Sequence, residues 1–180
     1  MKTIAITGGV AEGKSTVLGY CKEAGYPVAS ADEVAREVFA SDPVQSAIAE
    51  RLGTIPPVER HVVRTALEES PAFRRELNRL THAAIIRKLM EIGAAVIEVP
   101  LLIEVCLQAD FDRVWVVTCG REEQMRRLAA RLGTCNAGRL LASQLPTKAK
   151  TPFADCVVRT NQPEADVKAY VLERVHAELG

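Results

Sequence analysis

Apolar positions in this chain fall into two kinds of segment: short unbroken runs, and longer stretches in which they recur with helical period. The runs cover residues 3–7, ending in Gly8-Gly9; 26–29; 94–99, stopped by Pro100; 113–118; and 156–158. The fourth run, Arg-Val-Trp-Val-Val-Thr, does not alternate, so it reads as a strand buried on both faces. Helical patterns occupy 14–23, closed by Gly25, then 32–40, 121–132, 136–145 and a final amphipathic 164–179. Residues 42–93 are mostly helical as well: Pro43 and Pro71 each open a helix and Pro56-Pro57 interrupts between them. Within that stretch Phe73, Leu77, Leu80, Ala84 and Ile85 repeat at helical spacing. Strands separated by helices predict an α/β fold with a parallel five-stranded sheet and right-handed crossovers. The helical stretch contains no strand, so it reads as an insertion standing off that sheet.

Composition narrows the class. A chain of 180 residues, 48% hydrophobic, is one ordinary domain able to bury a core, with room for small insertions. Lys plus Arg and Asp plus Glu are both 23, so the formal net charge is zero. This argues against binding to nucleic acid or a membrane surface through bulk charge. Aromatics, at 4%, are too few for a base-stacking platform. No run approaches the ~18 apolar residues of a membrane span, and the apolar run at 3–7 is too short for a signal peptide. Cys21, Cys106, Cys119, Cys135 and Cys156 are odd in number with no C-x-x-C pair. They read as free thiols of a cytoplasmic protein, with a redox or metal role as the lesser reading. The expected state is a monomer or a small homo-oligomer.

The segment Gly8-Gly9-Val10-Ala11-Glu12-Gly13-Lys14-Ser15-Thr16 fits G-x-x-x-x-G-K-S/T, the phosphate-binding loop, and lies between an apolar run and a helical pattern. Such a loop turns backbone N–H groups toward a phosphate, and the following helix adds the positive end of its dipole. Lys14 would reach the β- and γ-phosphates of ATP and the Ser15 hydroxyl would ligate Mg²⁺. No N-K-x-D base-reading motif is present, which argues against a GTPase switch. Glu98, at the end of the third run, either supports Mg²⁺ through water or is an ordinary strand-end carboxylate. Residues 121–150 hold seven basic residues against Glu122 and Glu123. Arg127 and Arg131, four apart, share a helix face, where they serve phosphoryl transfer or simply face solvent. Asp32 follows the second run, where a carboxylate can activate an attacking hydroxyl or cap a helix. Trp115 reads as sheet core.

Taken in order, these pieces resemble the dephospho-coenzyme A kinase family. Thr7-Gly8-Gly9 through Gly13-Lys14-Ser15-Thr16 is similar to its T-G-G-x-x-x-G-K-S/T, and Ala31-Asp32-Glu33-Val34-Ala35-Arg36 to its A-D-x-I/V-A-R. Pro100-Leu101-Leu102-Ile103-Glu104 matches P-L-L-F/I/V-E, the most distinctive string, and 124–131 matches Q-x-x-R-x-x-x-R. Gln144, Lys150 and Ala154-Asp155 stand where the family has Q, K and A-D. The chain departs from the pattern at Ser30, where the family has an acid, at Ala83 after His82, at Gln162 after Thr160-Asn161, and in a shorter segment near 53–60.

The resemblance implies a P-loop NTPase-like three-layer fold. Its core would be 1–41, 93–132 and 153–180, with a CoA-binding helical insertion at about 42–92 and a lid at about 133–152. It implies phosphorylation of the ribose 3′-hydroxyl of dephospho-CoA by ATP with Mg²⁺, the last step of coenzyme A biosynthesis. Asp32 would be the base, Lys14, Arg127 and Arg131 the catalytic cations, and Gly8 to Thr16 with Arg139, Thr160 and Asn161 the ATP site. Asp32, His82, Pro100, Leu101, Leu102 and Glu104 would contact the acceptor. His82 also admits a reading as a partly buried structural histidine. Two alternatives stay open: a P-loop kinase for another small molecule or a nucleoside monophosphate, and a catalytically silent nucleotide- or CoA-binding protein.

Overall fold

The computed structural model describes residues 2–180, apart from the side chain of residue 90. It divides into two compact units, one formed by the chain up to Ser30 together with Ala94–Gly180, the other by Ala31–Gly93.

The first unit is built on five parallel strands: β1 (Ile4–Gly8), β2 (Val28–Ser30), β3 (Val96–Glu98), β4 (Arg113–Thr118) and β5 (Cys156–Arg159). Their order is β2-β3-β1-β4-β5. Central β1 is buried along its whole length, which is why it reads as continuous Ile-Ala-Ile rather than as an alternating pattern. Gly8 pairs with Val117, and Ser30 pairs with Glu98. The loops leaving β1, β3 and β4 therefore spring from one edge, the carboxyl edge at which open α/β sheets bind ligands.

Helices α1 (Lys14–Glu23) and α9 (Glu164–Leu179) cover this sheet. Val167, Val171 and Val175 of α9 pack with Val17, Cys21, Ile4, Ile6, Trp115 and Val158 in one core. Trp115 is fully buried and its Nε1–H donates to Glu178 at 3.0 Å, so it is sheet core as expected. All five cysteines are free, and burial pushes the Cys21 thiol up to about 12, leaving it a neutral packing group.

Two departures from the sequence reading have a local cause. The second strand begins at Val28 rather than residue 26, because the Tyr26 N–H is spent on the Cys21 carbonyl closing α1. The single helix expected at 136–145 is α7 (Thr134–Ala142), followed after Pro146 by a short α8 (Thr147–Lys150). Proline lacks the N–H that would continue the first helix. α6 (Arg121–Leu132) packs on α7 through Leu128, Ala137 and Leu141.

The second unit is helical throughout: α2 (Ala31–Ala40), α3 (Asp42–Leu52), α4 (Arg60–Glu69) and α5 (Pro71–Ile92). Pro71 opens α5, and without a proline after His82 the helix runs on for 22 residues. Val34, Val38, Ile48, Val63, Phe73 and Leu77 are buried. Ion pairs Lys88–Glu37 and Arg51–Glu76 tie α5 to α2 and α3. Among the described residues no helix is long and apolar enough to cross a membrane.

Candidate active site

The phosphate loop joins β1 to α1. Ala11 has φ 60° and Gly13 φ 90°, a left-handed sequence of peptides that turns N–H groups into a concavity. A Cβ on Gly8 would collide with the Val117 carbonyl, so the first glycine is required by the close pass of β4. Lys14 Nζ donates to the Gly9 carbonyl at 2.9 Å, folding the ammonium back over the loop.

The second half of the loop lines a cavity. Ala11, Gly13, Lys14, Ser15 and Thr16, with Arg127 and Arg131 of α6, line a cavity of about 470 Å³. Val10 and Glu12, expected at the ATP, are turned toward the protein instead. Gln144 accepts from the Val10 N–H at 3.2 Å, and Gln124 donates to the Val10 carbonyl at 3.0 Å. The Glu12 carboxylate is buried and accepts from Gly9 N–H, Thr147 and Thr118. Polar groups taken out of solvent pair inside the protein.

The arginines divide their work. Glu123 accepts from Arg126 at 2.6 and 2.7 Å and from Arg127 at 2.7 Å; these bonds, Arg126 first, hold its carboxyl down to about 2. Arg127 then spends Nη2 on the Thr160 carbonyl at 2.8 Å and approaches Ala11 and Thr160 Oγ1 through Nη1 at 3.4 Å. It is therefore chiefly a clamp between the loop and the segment after β5. Arg131 is exposed on the same cavity, with no side-chain partner among the described residues. Arg139 is exposed on α7 and does not line this cavity. Thr160 donates to the Glu12 carbonyl at 2.6 Å and packs over Gly13, while Asn161 is exposed in the bend beyond.

The Pro100 to Glu104 string forms a turn after β3. Leu102 is fully buried, so it supports the turn from the core and is not available to a ligand; Leu101 is about half exposed at 47%. Glu104 pairs with Lys150 at 2.7 Å, and Lys150, 1% exposed, also donates to the Pro100 carbonyl at 3.2 Å. Thr7 donates to that carbonyl as well, at 3.2 Å. The string and Lys150 thus form one anchored unit. Asp155, the acid of Ala154-Asp155, accepts from the Val114 N–H at 2.8 Å and holds β4 beside β5.

Asp32 and His82 belong to the helical unit. Asp32 is the second residue of α2, inside the first turn rather than at the cap position, so the capping alternative does not hold. It is exposed, and its carboxylate has no partner among the described residues. His82 is exposed on α5, which removes the reading as a partly buried histidine.

The residues present fit both groups that the motifs imply. The loop concavity and its cations suit a polyphosphate. Ser15 Oγ lies 3.3 Å from Glu98 Oε2, a hydroxyl and a carboxylate of the oxygen type that Mg²⁺ takes beside phosphate and water. Among the described residues no cluster of three or more His, Cys, Asp or Glu forms a protein-only metal cage. The structure brings Glu98, left by the sequence as a Mg²⁺ support through water or an ordinary strand-end carboxylate, within hydrogen-bond reach of Ser15.

Known proteins resemble this chain in sequence and in fold. The dephospho-CoA kinase family model matches residues 2–166. A dephospho-CoA kinase of Enterococcus faecalis is 33% identical over 99% of this chain and 98% of its own length. One from Anaeromyxobacter dehalogenans is 36% identical over 92% of this chain and 87% of its own. In fold, a dephospho-CoA kinase from Campylobacter jejuni superposes with a TM-score of 0.71 at 21% identity, covering 98% of this chain and 96% of that one. Loop, anchored Pro100–Glu104 turn and arginine helix thus occur together in a chain that belongs to the dephospho-CoA kinase family.

Proposed function

We propose that this protein transfers the γ-phosphoryl group of ATP to the ribose 3′-hydroxyl of dephospho-CoA, releasing ADP and CoA. The observation that carries the reading is the cavity over the second half of the phosphate loop, bordered by Lys14, Arg127 and Arg131. The transferring group spreads negative charge over its oxygens, so positioned cations and N–H donors are what catalysis needs. In this reading the amides from Ala11 to Thr16 and Lys14 hold the β- and γ-phosphates, and Arg127 keeps the loop and Thr160 in register. Arg131 supplies a guanidinium fork to the transferring group. Ser15, backed by Glu98, would hold Mg²⁺, whose contribution is charge neutralisation between the phosphates.

Asp32 accepts the proton of the attacking hydroxyl; its exposure, with no side-chain partner among the described residues, leaves it available for that role. Leu101, about half exposed on the turn after β3, contacts the acceptor in this reading. The segment 133–152 excludes water, which would otherwise take the phosphoryl group. Free thiols support a cytoplasmic setting. The test is ADP release from ATP against a panel of dephospho-CoA, shikimate and nucleoside monophosphates. Turnover with dephospho-CoA alone is expected; preference for another alcohol, or binding without turnover, would replace this reading with one of its alternatives.

A further inference from the structure

The carboxylate of Glu12 is 1% exposed, yet it lies in the middle of a loop built to attract anions. A carboxylate only accepts hydrogen bonds, and this one collects three from three separate places in the chain. Oε2 accepts the Gly9 N–H and the Thr147 hydroxyl, both at 2.5 Å, and Oε1 accepts the Thr118 hydroxyl at 3.0 Å. Thr147, the first residue of α8, is itself 9% exposed. The crowding is tight: a Cβ on Gly9 would run into Gln124, Glu12 and Thr147.

We propose that Glu12 is a positioning residue that couples the first half of the phosphate loop to α8, so that the Thr147 hydroxyl contributes to nucleotide affinity without touching nucleotide. The inference rests on the ATP-binding part of the proposed function. Gly9 and Val10 have no contact with the cavity, but they set the path by which the chain enters Ala11 and Gly13, which line it. Their path is held by side chains, Gln124 and Gln144 from outside the loop on Val10 and Glu12 from within it on Gly9. Glu12 is the member that passes the constraint on to α8, whose other end is fixed by Lys150 on Glu104 and Pro100. Loss of the Thr147 hydroxyl leaves Oε2 with one donor fewer in a buried site, and the Gly9 peptide is then free to re-aim.

The experiment measures ATP dissociation constants by calorimetry for the wild type, Thr147→Val, Thr147→Ser, Glu12→Ala and the double variant Glu12→Ala/Thr147→Val. Thr147→Val keeps the shape and removes one bond to a charged acceptor, so ATP binding should weaken about tenfold. The KM for dephospho-CoA should change less than ATP affinity, because the bond that is lost lies at the phosphate-loop end of α8. Thr147→Ser restores the hydroxyl and should restore ATP affinity. In the Glu12→Ala background Thr147→Val should have no further effect on ATP binding, whichever way Glu12→Ala itself moves it. Unchanged ATP affinity in Thr147→Val, an equal loss for both substrates, or the same loss with and without Glu12 would each overturn the proposal. If Glu12→Ala does not fold, the contrast between Val and Ser at 147 decides alone. A wild-type protein that bound no ATP would overturn the functional reading too, whereas wild-type binding with an unaffected Thr147→Val removes only this coupling.

Discussion

Ser15 Oγ donates a hydrogen bond of 3.3 Å to Oε2 of Glu98, joining the first turn of α1 to the end of β3. Strand register puts Glu98 opposite Ile6 of β1 and Ser30 of β2, which fixes the carboxylate beside the loop. A carboxylate that orients a Mg²⁺-binding hydroxyl acts from behind it, and removing such partners costs roughly 10–100-fold in metal affinity or activity. Glu98→Gln is therefore expected to raise the Mg²⁺ concentration needed for half-maximal turnover by about tenfold or more. Titrating Mg²⁺ at fixed ATP checks this; an unchanged Mg²⁺ curve would return Glu98 to an ordinary strand end.

Among the described residues, Arg131 is the arginine of the cavity whose fork is not taken up by a side-chain partner. Arg131→Lys keeps the charge and loses bidentate geometry. We expect kcat/KM for ATP to fall by about tenfold, corresponding to ~1.4 kcal/mol. Equal kinetics in the two proteins would make Arg131 a solvated surface residue.

Glu104 faces a Lys150 ammonium that is 1% exposed. Glu104→Gln leaves that charge buried without an anionic partner, a loss of ~3–5 kcal/mol when a pair is fully buried and less here, where Glu104 retains 22% side-chain exposure. Thermal unfolding should shift down by several degrees, at roughly 2–4 °C per kcal/mol for a chain of this size. A normal melting curve with a raised KM for the acceptor would instead make Glu104 a substrate contact.

For Asp32 the structure separates the roles that spacing alone left together. Inside the first turn of α2 the charge interacts with the helix dipole, worth ~0.3–1 kcal/mol, and caps nothing. Asp32→Asn should leave ATP affinity and the melting temperature nearly unchanged. Its kcat should drop roughly 10²–10⁴-fold, the share of general acid–base catalysis. Single-turnover kinetics on the folded variant read this, and a near-normal kcat would remove Asp32 from the proton path.

The sheet was legible because β1 and β4 are continuous apolar runs buried on both faces, and the loop because its glycines and lysine stand at invariant offsets. Long-range pairings were not legible. Nothing local says that Glu12 turns inward to meet Thr147, that Gln124 and Gln144 hold the two sides of one peptide at Val10, or that Lys150 reaches Glu104. Each depends on where the fold puts residues that lie 46 to 135 positions apart in the chain. Leu102 was misjudged for a related reason: a motif leucine beside a ligand site and one beneath it read alike, and only burial tells them apart.

The central claim is the transfer of phosphoryl from ATP to one hydroxyl of dephospho-CoA, and ³¹P NMR of the reaction of the wild-type protein with ATP, Mg²⁺ and dephospho-CoA observes that transfer directly. The account predicts a new phosphomonoester resonance on the ribose 3′ position, growing one for one with ADP and absent from Lys14→Ala. ADP formed without that resonance, a phosphate on a different hydroxyl, or no turnover by the folded wild-type protein would contradict it.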